Sequence, residues 1–204
     1  HDRTMANVVL VSGGARSGKS GYAQQLCEKI SPSPIYVATA QSWDGDFEER
    51  IKRHQSDRGE QWTTVEETIE ISKHAEAFKT KAVMVDCLTL WLTNFFVKEG
   101  AFNLPKDGEE ASAGSDSSAA DRALAAAKAE FDKLVSQWDT TLVFVTNEIG
   151  SGTHPDGAMS RKFVDAMGWL NQHAGNRAQR VVHMVCGQAN VIKAPPPPGG
   201  GGRG

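Results

Sequence analysis

Eight consecutive residues near the start of the chain have the composition of a loop that binds phosphate groups. The run Gly13-Gly14-Ala15-Arg16-Ser17-Gly18-Lys19-Ser20 satisfies the pattern G-x-x-x-x-G-K-[ST]. Glycines let backbone N–H groups curl around phosphate oxygens, and the start of the following helix adds the positive end of its dipole. We expect Lys19 to reach the β- and γ-phosphates and Ser20 to ligate Mg²⁺. A simple Gly/Ser turn is disfavoured, because an apolar run precedes the loop and a helical pattern follows it.

Two carboxylates follow apolar runs and are candidates for the same chemistry. Asp86 ends the run at 82–85, and the expectation is a neighbouring strand that puts this carboxylate beside the phosphate loop, where it holds Mg²⁺ or its water. Glu148 follows the run at 141–146, at the edge of the sheet where α/β ligand sites form. Glu148 is a candidate to orient Mg²⁺ or accept a substrate proton, and its alternative role is only that of an acid at a helix start.

A histidine lies between arginines in the segment at 50–58. If this segment is helical, Arg50, His54 and Arg58 share one face. Nearby positive charge disfavours imidazolium, so the ring of His54 tends to stay neutral and nucleophilic. This layout suits attack on a phosphorus atom, and the arginines can neutralise a polyphosphate. The alternative is a solvated basic face with an uninvolved histidine.

The elements that position these residues are predicted from hydrophobic patterning. Continuous apolar runs indicate buried parallel strands, with a small edge strand added at the end; they cover 8–12, 35–39, 82–85, 141–146, 180–185 and 190–193. Helical patterns separate them at 19–29, 46–57, 65–79, 88–98, 119–137 and 159–173. Alternation of strand and helix predicts right-handed crossovers and an α/β fold with a mostly parallel sheet.

Composition excludes several classes of protein. The chain has 204 residues and a formal net charge of -3, which argues against a nucleic-acid partner. No apolar run approaches the roughly 20 residues that span a bilayer, and no signal-peptide core is present, so the expected location is the cytoplasm. The three cysteines, Cys27, Cys87 and Cys186, have no zinc or disulfide spacing and are expected to be buried thiols.

Three segments are expected to lie outside the packed domain. Residues 1–6 are interpreted as a flexible N-terminal remnant, with the natural start at Met5. Residues 105–120 are rich in Gly, Ser, Ala and acid, which predicts a flexible insertion. Residues 194–204 are almost entirely proline and glycine, which predicts a disordered tail. One domain is therefore predicted over 7–193.

These motifs, taken in order, resemble those of the bifunctional adenosylcobinamide kinase / adenosylcobinamide-phosphate guanylyltransferase family. The resemblance extends from about residue 7 to residue 193. It includes the phosphate loop with its internal arginine, the second strand Tyr36-Val37-Ala38-Thr39-Ala40 and the histidine segment followed by Trp62-Thr63-Thr64-Val65-Glu66. It also includes Asp86-Cys87-Leu88-Thr89-Leu90-Trp91-Leu92-Thr93-Asn94 and Thr146-Asn147-Glu148-Ile149-Gly150-Ser151-Gly152, followed by Pro155, Arg161, Phe163, Asp165, Gly168, Asn171 and Gln172.

The resemblance implies a P-loop nucleotide-hydrolase (RecA-like) three-layer fold and two reactions on one corrinoid. A nucleoside triphosphate (ATP or GTP) phosphorylates the aminopropanol hydroxyl of adenosylcobinamide, and GTP then donates GMP to that phosphate with release of pyrophosphate. A histidine carries GMP covalently, and the matching position is His54. The resemblance gives catalytic roles to His54, Lys19 and Asp86. It implies that Ser20 and Asp86 bind Mg²⁺, with Glu148 as a further candidate ligand. Nucleotide contacts carry over onto residues 13–20, Ala38, Thr39, Ala40, Gln55, Ser56, Asp57, Arg58, Glu66 and Asp86. The family also implies a homotrimer.

Three features depart from the family pattern. Some members have a second histidine just before the nucleophile, where this chain has Arg53. Thr153 and His154 replace small apolar residues before Pro155, which makes His154 a rival nucleophile. The 105–120 segment is an insertion with no assigned chemistry.

Two other functions remain open at this point. One is a small-molecule kinase that uses the phosphate loop without a covalent step, and the other is a GTP-dependent regulatory switch. Because the sequence has one phosphate loop for two nucleotide-consuming reactions, we also expect both reactions to use overlapping nucleotide positions.

Overall fold

Strands and helices alternate along most of the chain, as the sequence predicts. The computed structural model describes residues 6–41, 56, 58–103, 112–136 and 139–195. The strands are β1 (Asn7–Gly13), β2 (Ile35–Ala38), β3 (Thr63–Glu66), β4 (Ala82–Asp86), β5 (Phe102–Asn103), β6 (Ser112–Ala113), β7 (Thr141–Thr146), β8 (Arg180–Val185) and β9 (Gln188–Lys193). The helices are α1 (Lys19–Ile30), α2 (Ala75–Phe78), α3 (Leu88–Lys98), α4 (Ala119–Val135) and α5 (Ala158–Arg177), and short 3-10 turns cover Ile71–His74 and Ile149–Ser151.

Seven strands form one sheet in the order β3-β2-β4-β7-β1-β8-β9. All pairs are parallel except β8 with β9, which form an antiparallel hairpin at one edge. This order confirms the predicted mostly parallel α/β fold. The strand that leads into the phosphate loop, β1, lies between β7 and β8. The loop therefore follows an inner strand of the sheet, not one of its two outer strands.

The sheet is buried on both faces, which explains the continuous apolar runs. Val8 and Leu10 of β1 belong to one core, while Val9 and Val11 belong to the other. The first core also contains α3, α4 and α5, and the second contains α1 through Ala23 and Cys27. Because successive strand residues point to opposite faces, a strand between two helical layers must be apolar at every position. The result is a three-layer architecture.

The predicted helix at 65–79 is wrong in its first part, since only Ile71–Phe78 is helical. Residues 63–66 instead form β3, which pairs in parallel with β2 from Ile35↔Thr63 to Ala38↔Glu66. Glu67 then ends the strand, because its side chain accepts hydrogen bonds from the N–H groups of Ile69 and Glu70 at 3.1 Å. Such a local bond competes with helix formation, so helical structure begins only at Ile71.

The described residues also correct the predicted bounds of the insertion and of the N-terminal remnant, and the burial of one cysteine. In the predicted insertion, Ser112–Ala113 pairs with Phe102–Asn103, and Ala119 and Ala120 begin α4 as buried residues. Ala6, assigned to the N-terminal remnant, is also buried. Cys27 and Cys87 are buried as expected, but Cys186 is exposed in the turn between β8 and β9.

Several predictions fall outside the described residues. They concern the rest of the N-terminal remnant, the rest of the insertion, the tail beyond Pro195 and the helix at 46–57 apart from Ser56, which is helical. Within the described ranges, no helix combines the length and the apolar character required to cross a bilayer.

Candidate active site

The phosphate loop connects β1 to α1 as the motif requires. Arg16 and Gly18 have positive φ values of 53° and 94°, so the loop uses left-handed backbone at two positions before the helix begins at Lys19. No side chain among the described residues caps α1, which leaves the N–H groups of its first turn available to phosphate oxygens. The ammonium of Lys19 lies within the loop and donates to the carbonyl of Gly14 at 2.9 Å. The loop therefore combines oriented N–H groups with a positive charge.

The β8–β9 hairpin packs against the phosphate loop. The N–H of Gly187, in the hairpin turn, donates to the carbonyl of Ser17 at 3.0 Å. A Cβ added to Gly13 would lie 3.0 Å from the backbone oxygen of Met184 and would collide with the hydroxyl of Ser17. Gly13 is therefore required for close packing against β8. The sequence pattern did not predict this contact with the hairpin.

Asp86 lies at the same edge of the sheet as the loop, but not on the neighbouring strand. The strand β7 separates β4 from β1, so the expectation of a directly adjacent carboxylate is wrong. The register nevertheless keeps both at one edge, since Asp86 pairs with Val145 and Ser12 with Thr146 on the two sides of β7. Burial, followed by the charge of Asp86, raises the pKa of the Cys87 thiol to about 11, and the ammonium of Lys19 is among the groups that oppose the shift. Lys19 thus acts across β7 on the residue that follows Asp86.

An aromatic residue connects Asp86 to Arg58. The hydroxyl of Tyr36 donates to Asp86 Oδ2 at 3.1 Å, and the guanidinium of Arg58 lies 3.3 Å from the centre of the Tyr36 ring. Burial and then the charge of Asp86 raise the pKa of Tyr36, so this hydroxyl stays protonated and remains a donor. Arg58 is only 7% exposed, and its Nε finds no partner among the described residues.

Arg58 itself is not helical, so it does not extend a helical face at this position. It lies in a bend after Ser56 rather than in a helix. The cation–π contact with Tyr36 fixes the chain that follows the histidine segment to β2. His54, Gln55 and Asp57 lie outside the described residues, and so does Arg50.

The residues that follow β2 act mainly through their backbone. Thr39 is fully buried, and its hydroxyl lies 3.2 Å from the carbonyl oxygens of Asp86 and Cys87. Asn94 of α3 donates to the carbonyls of Thr39 and Thr68 at 2.7 and 2.9 Å. Ala38 is also buried, whereas Ala40 is partly exposed. The structure thus places Thr39 as a support for the Asp86 backbone, a role that the sequence did not reveal.

Among the predicted site residues that the structure describes, Glu66 lies on the strand furthest from the phosphate loop. It ends the edge strand β3 and is exposed. Four strand spacings separate β3 from β1, which corresponds to about 19 Å. Glu66 is therefore too far from the loop to take part in binding the phosphates.

Glu148 and Asn147 lie between the loop and Asp86, because both follow β7. Glu148 is exposed, and it precedes only a three-residue 3-10 turn. Asn147 is held more firmly, since its amide donates to the Thr89 hydroxyl at 2.9 Å and its carbonyl accepts from Asn171 at 3.1 Å. Asn147 was not predicted as a site residue, although its position at the end of a buried strand was a signal.

The oxygen ligands available at this edge fit Mg²⁺. The described residues contain no cluster of three or more His, Cys, Asp or Glu side chains that could hold a metal alone. Mg²⁺ commonly binds through one or two protein oxygens together with substrate phosphates and water. The Ser20 hydroxyl in the first turn of α1 and the Asp86 carboxylate, oriented by Tyr36, provide such oxygens.

Fold and loop together define the class of protein. The three-layer sheet with a phosphate loop after β1 is the architecture of P-loop nucleoside triphosphatases. A prototypical ATPase of the type III secretion system of pathogenic bacteria superposes with a TM-score of 0.53 at 12% identity, over 88% of this chain and 51% of that one. A Pyrococcus horikoshii protein superposes with a TM-score of 0.50 at 6% identity, over 94% and 88%. These similarities concern the fold alone.

Sequence comparison identifies the family. The model of the cobinamide kinase / cobinamide phosphate guanyltransferase family matches residues 9–192, and the chain belongs to that family. It is 35% identical to the bifunctional adenosylcobalamin biosynthesis protein CobP of Pseudomonas aeruginosa, over 90% of this chain and 96% of that one. It is 34% identical to the protein CobU of Escherichia coli, over 91% and 99%. The predicted family is confirmed.

Proposed function

We propose that this chain catalyses both reactions of its family on one corrinoid. It phosphorylates the aminopropanol hydroxyl of adenosylcobinamide with ATP or GTP, and it then transfers GMP from GTP to the new phosphate to give adenosylcobinamide-GDP. The observation that carries the proposal is the placement of Lys19 and Asp86 at one sheet edge, within a chain that matches the family over nearly its whole length.

For the kinase step, the loop residues bind and orient the triphosphate. Lys19 and the N–H groups of α1 neutralise charge that develops on the transferred phosphoryl group. The substrate hydroxyl attacks the γ-phosphorus, the bond to the β-phosphate oxygen breaks, and the hydroxyl proton leaves to a base. Glu148, exposed at the end of β7, is our candidate for that base. Bound Mg²⁺, held by Ser20 and Asp86, would supply further charge neutralisation at the phosphates.

For the guanylyl step, His54 is the proposed nucleophile. Its imidazole attacks the α-phosphorus of GTP, pyrophosphate leaves, and the phosphate of the corrinoid then displaces the histidine. Two observations support this assignment. Arg58 is fixed beside Asp86 through Tyr36, and His54 precedes it by four residues, which span at most about 14 Å. The basic residues of this segment favour a neutral, nucleophilic ring.

The remaining contacts belong to the same proposal. Residues 13–20 hold the phosphates, while Ala38 to Ala40, residues 55–58 and Glu66 contact the nucleoside end. The exposed Glu66 lies far enough along the edge for that role. We also propose, from the family resemblance, a homotrimer in the cytoplasm; sedimentation equilibrium and cell fractionation test these two points.

The test uses GTP labelled at either the α- or the γ-phosphorus, mixed with protein and Mg²⁺ without corrinoid. We expect label from the α-position only to stay on the protein in a denaturing gel and to be released by acid, as a phosphoramidate is. His54→Ala should abolish this label. His154→Ala is the matched control, since it removes the rival histidine, and it should retain the label.

The outcome separates the candidate functions. If no α-label is retained by the wild type, His54 has a binding role only, and a simple small-molecule kinase or a GTP-dependent switch becomes the better explanation. If the label is lost in His154→Ala instead, the nucleophile has been misassigned.

A further inference from the structure

A cleft lies near the sheet edge that carries the phosphate loop. It is formed between the loop at 150–155 and one face of α5. Its volume is about 310 Å³, and its walls include His154, Pro155, Asp165, Trp169 and Gln172. Asp165, Trp169 and Gln172 are spaced at i, i+4 and i+7, so they line the same side of the helix. No step of the proposed chemistry uses this cleft.

Trp169 separates the cleft from a second cavity. Its side chain is 50% exposed, which is unusual for so large an apolar surface. The second cavity has a volume of about 210 Å³ and shares the walls formed by Asp165 and Trp169. The indole is therefore a ridge between two depressions. Tryptophans placed in this way are frequent at binding surfaces, because they offer a large rigid face at little entropic cost.

The strand register places the cleft next to the phosphate loop. Ser12 at the end of β1 pairs with Thr146 at the end of β7, so the phosphate loop and the cleft loop leave adjacent strands at the same edge. Asn171 fixes α5 to this edge, because its side chain accepts from the Thr146 hydroxyl at 2.6 Å and donates to the Asn147 carbonyl at 3.1 Å. A molecule held in the cleft is thus beside the site of phosphoryl transfer.

The charges of the cleft disfavour a second nucleotide. Among the described residues that line the two cavities, Asp121 and Asp165 are carboxylates, and the one permanent cation is Lys162. Lys162 already donates to the carbonyl of Ser117 at 2.5 Å. A polyphosphate would require several unopposed cations or N–H groups at this place. An apolar ridge bordered by carboxylate and amide groups fits a ligand that is neutral or cationic and rich in amide N–H groups.

We propose that the two cavities bind the corrin ring of the acceptor, with the ring against Trp169. The inference rests on the proposed function, because it identifies where that function holds its second substrate. A corrin is a broad apolar macrocycle surrounded by carboxamide arms, and it is larger than either cavity alone. The ring covers the indole while its arms enter both depressions, where Asp165 accepts and Gln172 both donates and accepts hydrogen bonds. The aminopropanol arm then extends towards the phosphate loop.

The test is the kinase reaction with adenosylcobinamide, called cobinamide from here on, varied at saturating ATP. For Trp169→Ala we expect the KM for cobinamide to rise about ten-fold, the effect of about 1.4 kcal/mol of lost contact. The KM for ATP should stay unchanged, and so should the corrinoid-free labelling of the protein by GTP. Trp169→Phe should recover part of the affinity, since it restores an aromatic face. The matched control is Ile192→Ala, which removes another exposed apolar side chain, on β9 (63% exposed, against 50% for Trp169).

Three results would overturn the inference. In the first, the KM for cobinamide stays the same in Trp169→Ala. In the second, Ile192→Ala raises that KM as much as Trp169→Ala does. In the third, Trp169→Ala changes the sedimentation of the protein, or raises the KM of both substrates equally, so that the indole is a subunit or folding contact.

Measurements on the wild-type protein show whether the proposed function itself is wrong. If the wild type neither phosphorylates cobinamide nor binds it in equilibrium dialysis, both proposals fall. If the wild type phosphorylates cobinamide but the Trp169 variants do not show the expected change in the KM for cobinamide, only the assignment of the cleft is wrong.

Discussion

Lys19 is the residue on which both proposed reactions depend. Its ammonium lies inside the phosphate loop, 2.9 Å from the Gly14 carbonyl, and it also acts electrostatically on Cys87 across the intervening strand. A mobile cation in this position can follow a phosphate group as charge shifts during transfer. No other lysine in the described residues lies in this loop.

We therefore expect Lys19→Ala to lower kcat/KM about 10²- to 10³-fold in both reactions, the usual effect of removing one donor to a developing charge. Each half-reaction is measured separately, the guanylyl step with pre-phosphorylated cobinamide. Lys29→Ala, at the other end of α1, is the control and should have little effect. Survival of either activity at wild-type level in Lys19→Ala would contradict a shared phosphate site.

Gly13 is a residue whose role is steric. A side chain there would meet the backbone oxygen of Met184 at 3.0 Å, and backbone cannot move aside without disturbing β8. Gly13→Ala should cost about 1–3 kcal/mol of unfolding free energy through overpacking and should weaken nucleotide binding.

Gly21→Ala is the matched control for Gly13→Ala. An added Cβ at Gly21 meets nothing within 4 Å, and this helical glycine gains about 1 kcal/mol of stability on replacement. Urea unfolding of the two variants, with nucleotide titration, checks both expectations. Equal stability of the two variants would mean that the hairpin does not constrain the loop.

Elements, rather than single residues, bring the site together. The loops after β2 and β3 are joined by the Asn94 side chain, and the end of β7 is joined to α3 and α5 through Asn147 and Asn171. The buried amides of Asn94 and Asn171 satisfy backbone carbonyls that the loops would otherwise leave without partners, and the half-buried Asn147 bonds the Thr89 hydroxyl. The same polar groups hold the carboxyl edge of the sheet in one arrangement.

These bridges were the part of the site that the sequence could not reveal. The phosphate loop was predictable because its residues are contiguous, and its strand and helix carry strong periodic signals. Asn94, Asn147 and Asn171 stand in the runs that resemble the family, but they join elements that are distant along the chain, so no local pattern shows which groups they bond. The strand β3 was missed for a related reason, since its Thr-Thr-Val-Glu sequence is too short to outweigh the helical pattern that follows.

Glu67 makes the loop after β3 sensitive to pH. Burial alone would raise its pKa, but hydrogen bonds from Lys73, the Ile69 N–H, His74 and the Glu70 N–H outweigh burial and hold the pKa at about 2. The folded pKa is thus below the value of about 4.3 in an unfolded chain. The stability that Glu67 contributes is complete above the unfolded pKa and is lost as the pH falls towards 2.

The variant Glu67→Gln lacks this carboxylate and nearly preserves its shape. We expect its melting temperature to be lower than that of the wild type at pH 7, and the difference to shrink as the pH is lowered from 5 to 2. Glu76→Gln is the control, because its carboxylate is largely exposed and bonds only Lys79 among the described residues. A difference that is independent of pH would show that the charge of Glu67 is not what stabilises the loop.

At the scale of the whole molecule, the sheet order sets how the two reactions share space. The described candidate residues are spread along about 19 Å of one edge of the sheet, from the phosphate loop after β1 to Glu66 on β3. This order was not predictable, because parallel strands with helical crossovers can be arranged in several ways that satisfy the same local patterns. Only the structure shows that β7 intervenes between β1 and β4.

A single phosphate loop on this edge leads to a final prediction about competition. The motif occurs once in the sequence, and both reactions need a triphosphate, so ATP and GTP should contend for the same N–H groups and the same Lys19. In a guanylyl assay that starts from phosphorylated cobinamide, a non-hydrolysable ATP analogue should raise the KM for GTP without lowering kcat. The same analogue should also reduce the α-label captured by His54. If guanylyl transfer proceeds unchanged when the analogue saturates the protein, the two nucleotides bind apart, and the phosphate loop serves only one of the two reactions.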